Sequence, residues 1–208
     1  MRLIESAKRV FERDGFLEAR ISDIAEGAGL SHGSFYHYFD SKEQIFRKVA
    51  EEQEALLTAP SPEDVTTDSR SWSETERIHR ANSRYLERYR DAAKIMGVIE
   101  EVSRYDDQVN TARMNRQKHF AERAERAIRR MQADGIADPA VRADIAAVAL
   151  GSMVGRFAEL VLVEHYADFD FDEVVHQLSR LWANAIGLHE TTRPTGTSPT
   201  GDDGRAAG

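Results

Sequence analysis

The sequence predicts an all-α protein: a three-helix N-terminal unit built on a helix-turn-helix, then a larger helical domain, about nine helices in all. Three observations carry this. Apolar residues recur at the helical period in segments running from Leu3 to Ala185. Ser and Asp residues stand ahead of several of these segments with Glu or Gln three places on, as in a capping box. Gly29 separates two short helical segments at a point that needs a left-handed backbone.

Bulk properties narrow the function. The 208 residues leave room for one or two domains with a sizeable core. The formal net charge of -8 makes the molecule as a whole repel nucleic acid, so binding DNA would need a local surface. From Gly27 to Phe39 there is no acidic residue, and Arg20 and Lys42 flank the stretch. There is no cysteine, which excludes disulfides and thiolate metal sites and fits a reducing cytoplasm. Met1 leads straight into an amphipathic helix, with no visible secretory signal. The most apolar stretch, Ile145 to Val163, is interrupted by Arg156 and Glu159. It is expected to be a buried helix, not a membrane span.

Helix one is expected from Arg2 to Asp14, with Leu3, Ile4, Ala7, Val10 and Phe11 on one face and Gly15 ending it. Helix two spans Ser22 to Ala28, with Ser22 placed to accept from its free N–H groups. Ile24 and Ala28 face inward, and Ala25 is small where helices cross. The next helix is expected from His32 to Phe39. Leu30, Phe35 and Phe39 fill the wedge behind it, while His32, Gly33, Ser34, Tyr36, His37 and Tyr38 point outward. Such short polar side chains suit a major groove, where they read base edges or grip phosphates. Ser41 and Gln44 form a capping box for helix four, and Lys42 in its first turn opposes the helix dipole.

The Pro-, Ser- and Asp-rich run from Ala59 to Trp72 reads as a loop and sets a domain boundary after residue 58. Ser73 and Glu76 open helix five, Ala92 or Ala93 opens helix six, and helix seven runs from Asp107 to Asp134. Its arginines alternate with glutamates, Glu122 with Arg126 and Glu125 with Arg129, as on a solvated face. Asp138 and Pro139 are expected to open helix eight, where Gly151 and Gly155 permit a close crossing. Asp170 caps helix nine, which carries Leu178, Leu181, Trp182 and Ala185. Residues 191–208 hold almost no apolar side chain and read as a disordered tail.

The first fifty residues resemble the DNA-binding domain of the TetR family of bacterial transcriptional repressors. The resemblance lies in Ala7, Phe11, Gly15-Phe16, Asp23-Ile24-Ala25, Ala28-Gly29-Leu30-Ser31, Gly33-Ser34-Phe35-Tyr36, Tyr38-Phe39 and Ser41-Lys42-Glu43. It departs at Ala19 and Arg20, where the family commonly has threonine. The resemblance implies DNA contacts from Arg20, Ser22, His32, Gly33, Ser34, Tyr36, His37, Tyr38 and Lys42. Tyr36 holds the position from which relatives place a hydroxyl on a phosphate. His32 stands where relatives often have lysine or arginine, which gives it a weaker, pH-dependent grip.

The resemblance also implies a homodimer on a palindromic double-stranded operator, and a C-terminal domain (59–190) that binds a small apolar or amphipathic effector. Effector candidates are Trp72, Met96, Phe120, Met153, Arg156, Phe157 and Glu159. Dimer candidates are Gly151, Gly155, Leu178, Leu181, Trp182 and Ala185. No cofactor, metal or membrane partner is expected. His165, Asp168, Asp172 and His176 could hold a metal, but helix capping already accounts for the aspartates. There is no G-x-S-x-G, Walker loop, G-x-G-x-x-G or H-E-x-x-H, so an enzyme is not expected. The rival readings are a DNA-binding regulator with no effector and a helical enzyme or carrier.

Overall fold

In the computed structural model the described residues are 2–60 and 72–189, and among them nine helices and no strands occur. The helices are α1 (Arg2–Glu18), α2 (Ile21–Gly27), α3 (His32–Phe35), α4 (Lys42–Thr58), α5 (Glu74–Asp91), α6 (Ala93–Ser103), α7 (Asp107–Ala133), α8 (Ala143–Leu162) and α9 (Phe171–Ala185). The stretch 61–71, within the run expected as a loop, and residues 191–208, expected as a disordered tail, lie outside the described residues.

The N-terminal helices close on an aromatic core. Phe11, Phe16 and Phe46 meet at ring distances of 4.9 to 6.0 Å. Gly15, at φ 73°, kinks α1 without ending it, and the extra turn to Glu18 brings Phe16 inward. Apolar contacts continue without a gap from this core into α5–α9. α4 packs along α7, α1 touches α6, α5 lies on α9, and α7 and α8 form the most extensive pair.

Capping fixes most helix starts. Ser73 and Glu76 close a complete capping box on α5. Asp106 caps α7 through the N–H groups of Gln108 and Val109, and its other oxygen takes Arg47 Nε at 2.9 Å. Asp170 caps α9, as expected.

Two further helix boundaries and one capping contact differ from expectation. α3 ends at Phe35: Tyr36 is its C-cap, and the next bonds, His37 N to Ser34 O and Tyr38 N to Phe35 O, span three residues. This tighter winding returns Phe39 to within 5.9 Å of Phe35. α8 begins at Ala143, because Asp138 is spent on a turn. Its carboxylate accepts from Ala140 N, and its own N–H donates to Ile186 O after α9. Gln44 Oε1 accepts from Asp40 N, one residue before the position a capping box requires.

Candidate nucleic-acid interface and inner cavity

The outward face of α3 rests on a rigid frame. Ser6 Oγ, on α1, donates to Ile24 O on α2 at 2.8 Å in a buried setting. A Cβ on Gly27 would collide with that hydroxyl, a constraint the sequence reading missed. Gly29, at φ 73°, makes the turn. Leu30 N bonds to Ala25 O and Gly29 N to Glu26 O, the two bonds of a Schellman motif. Ser31 caps α3 by accepting from Ser34 N. Phe35 is fully buried beneath.

His32, Gly33, Tyr36, His37 and Tyr38 are all exposed on this frame. Tyr36 packs edge-on against His32 and Phe35, each at 5.4 Å between ring centroids. Ser34 is half-buried, and its hydroxyl lies 2.8 Å from that of Ser31. Arg20 and Ser22 are exposed at the start of α2. Ser22 does not cap that helix, because Arg20 takes the N-cap position. Ser22 instead donates to Asp23 Oδ1 at 3.0 Å. Arg13, hydrogen-bonded to Asp14, holds that carboxyl below the usual range, and Arg20 adds to the effect.

Lys42 has partners within the chain. Its ammonium donates to Leu17 O at 2.9 Å and Ala19 O at 3.0 Å, and it lies 4.9 Å from the Phe16 ring. These carbonyls at the end of α1 explain a cation in the first turn of α4 without a phosphate. One of its three donors remains.

A cavity of about 640 Å³ lies between α5, α7 and α8. Of the seven expected effector residues it is lined by Phe120, Arg156 and Glu159. The other four lie elsewhere. Met96 is core on α6. Trp72 carries the Arg80 guanidinium 4.2 Å above its ring and anchors the start of α5. Phe157 stacks on Phe169 at 6.1 Å, and Met153 packs against the core. Gly151 and Gly155, expected at a dimer seam, line the cavity. A Cβ on Gly151 would lie 2.8 Å from the Phe120 ring, which is why α7 and α8 can approach so closely.

The deep end of the cavity holds groups the sequence reading missed. Arg116 Nη1 donates to Tyr85 Oη at 3.1 Å, and Arg116 Nε lies 2.8 Å from Glu54 Oε2. Arg113 pairs with Glu100 and donates to Ser103 Oγ at 2.9 Å. Near the mouth, Arg156 pairs with Glu159 at 2.6 Å and Glu164 at 2.8 Å. Glu54 is 2% exposed, and burial pushes its carboxyl up against the opposing pull of Arg116 and Arg113. Burial likewise pushes the Tyr85 and Tyr89 phenols up. One signal for Glu54 was present: it follows Phe46 by eight and Ala50 by four, on the apolar face of α4.

Among the remaining dimer candidates, Leu178 and Trp182 are buried within the chain, whereas Leu181 and Ala185 are exposed. α8 corrects another expectation. By length and composition it could cross a membrane, yet only 28% of its most apolar window is buried inside the chain. Ile145, Val148, Ala149 and Ser152 leave one side uncovered.

Residues 3–49 match the family model of bacterial regulatory proteins of the tetR family. An HTH-type transcriptional regulator of Bacillus subtilis, YfiR, is 43% identical over 49 residues, 24% of either chain. The repressor KstR2 of Mycolicibacterium smegmatis is 36% identical over 69 residues, 29% of this chain and 34% of its own. The matched segment thus spans a quarter to a third of these relatives. The fold agrees more widely. The regulator FadR of Bacillus subtilis, solved with stearoyl-CoA, superposes with a TM-score of 0.67 over 91% of this chain and 99% of its own, at 16% identity.

Proposed function

We propose that this chain, whose residues 3–49 match the tetR family model and whose fold agrees with FadR, is a ligand-responsive transcriptional repressor of that family that binds a palindromic operator as a dimer. The observation that carries this reading is the acid-free face of Tyr36, His37 and Tyr38, exposed over a fully buried Phe35. Tyr36, Ser34, His32 and the backbone at Gly33 grip phosphates and base edges, flanked by Arg20, Ser22 and the remaining donor of Lys42. Residues 1–58 form the DNA-binding domain, and 59–190 the effector-binding and dimer domain. The protein acts in the cytoplasm.

Dimerisation is supported by the uncovered apolar side of α8, with Ile145 57% and Val148 58% exposed, and by Leu181 on α9. A two-fold pair presents two α3 surfaces to half-sites about one helical turn, or a multiple of it, apart. A small apolar or amphipathic effector enters the α5–α7–α8 cavity, prefers a dimer geometry that no longer fits the half-sites, and releases DNA. Such coupling is typically about 1–3 kcal/mol, roughly 5- to 150-fold in affinity. The rival reading, a regulator with no effector, leaves a cavity of about 640 Å³ without a use. Selection of genomic fragments with purified protein, followed by footprinting, tests the proposal. A protected palindrome is expected, and no enriched fragment at low salt would overturn it.

A further inference from the structure

The effector reading leaves the ligand's chemistry open, and the deep end of the cavity constrains it. The polar groups there are donors. Tyr85 and the Arg116 side chain are 7% and 8% exposed, and both line the cavity. The Tyr85 oxygen already accepts from Arg116. Its own hydrogen has no acceptor among the described residues. The Arg116 fork spends one N–H on Tyr85 and turns its Nε toward Glu54. Its other N–H groups have no acceptor among the described residues. Of the carboxylates that line the cavity, Glu159 faces Arg156, Glu125 faces Arg129 and Asp144 faces Arg142, and Glu122 also lines it; Glu54 stands behind Arg116 and outside the lining. The walls beside these donors are apolar, made by Phe120, Ala147, Gly151 and Val154.

The contact behind Arg116 is poorly made. Glu54 Oε2 lies 2.8 Å from Arg116 Nε, yet neither oxygen of this buried carboxylate has an aligned hydrogen bond. A carboxylate offered from the cavity could take the guanidinium edge-on through two bonds, the stronger geometry. Glu54 belongs to α4, the helix whose first turn holds the end of α1 through Lys42.

We propose that the cavity takes an amphipathic monocarboxylate, its carboxylate seated on Arg116 and Tyr85 and its apolar body along Phe120 and Val154, and that seating it draws Arg116 off Glu54. This rests on the effector reading above. The exchange has a charge balance. Arg113 and Arg116 on α7, Glu100 on α6 and Tyr85 on α5 face Glu54, and burial already favours its neutral form. When Arg116 leaves, Glu54 takes a proton from solvent, so the ligand's negative charge replaces its own. Glu54 is therefore a competitor for the ligand's seat.

Calorimetric titration of the full chain with decanoate, decan-1-ol and decylamine tests this. Decanoate is expected to bind at least tenfold tighter than either analogue. Its affinity should rise as pH is lowered from about 8 to about 6. E54Q is expected to bind decanoate tighter than wild type, with a flat pH profile, because the competitor and its proton are gone. The E54Q/R116Q double variant keeps the buried charge balanced, so it guards against a folding failure, and it should lose the preference for decanoate over decan-1-ol. Weaker decanoate binding by E54Q, or a preference that survives in the double variant, overturns the inference. Tight binding of decan-1-ol or decylamine in place of decanoate overturns it and leaves the effector reading standing. If none of the three binds, both fail.

Discussion

The α3 surface and the α5–α7–α8 cavity differ in where their polar groups find partners. At the surface the bonds stay within the helix-turn-helix and the helices beside it, Lys42 reaching back 25 positions to Leu17. Ser31 caps Ser34, Gln44 reaches Asp40, and the Gly29 turn closes on Ala25 and Glu26. At the cavity they are distant in sequence. Arg116, on α7, meets Tyr85 on α5 from 31 positions away and Glu54 on α4 from farther still. Local bonds hold an exposed face rigid with little help from the rest of the molecule. Distant bonds hold space open only while several helices keep their places, which is the property a ligand-sensitive site needs.

The largest expected effect lies under the surface. Phe35→Ala removes a fully buried ring shared by α3 and its neighbours, and should cost about 3–5 kcal/mol in denaturant unfolding. A loss below about 1 kcal/mol would mean that the frame is not rigid.

Next comes the cavity wall. Gly151→Ala places a methyl 2.8 Å from the Phe120 ring, and should cost about 1–3 kcal/mol as α7 and α8 separate. It should also enlarge or distort the cavity, read as a changed affinity for any bound amphiphile. An unchanged unfolding midpoint would show that Phe120 gives way freely.

The smallest effect lies at the α4–α7 joint. Asp106→Ala removes a helix cap and the partner of Arg47, at about 1–2 kcal/mol. Burial alone would raise this carboxyl, but the Val109 N–H and Arg47 outweigh it and lower it. Its stabilisation is therefore complete at neutral pH and fades as pH falls below about 4. Unfolding curves taken across that range should converge for wild type and variant. A constant gap would place the stabilisation elsewhere.

The same contrast governs what could be read from the sequence. The helix-turn-helix was legible because caps, the glycine turn and the Phe35 wedge act within about twenty residues. All nine helices of the described residues were expected, but boundaries moved: α1 runs on past Gly15, α3 closes early in a tighter winding, and α8 starts late. Asp138 looked like a helix cap and is instead tied to Ile186 after α9. Of Gly151 and Gly155, only the first marks a close crossing, and periodicity does not say with which helix. They meet α7 and Tyr85 of the same chain. Glu54 and Arg116 were overlooked because each reads alone as a helix-surface charge, and only the packing of α4 on α7 makes them a buried pair.

The most direct test of the DNA-binding claim uses the fragment recovered by selection. Its affinity should be measured for wild type and for Tyr36→Ala/His37→Ala at one fixed salt concentration, with unfolding midpoints recorded beside it. Both side chains are exposed, so the unfolding free energy should stay within about 0.5 kcal/mol of wild type. Binding should weaken at least tenfold, about 1.4 kcal/mol. Equal affinity in the two proteins would contradict the account, because the acid-free face of α3 would then not be the surface that meets DNA.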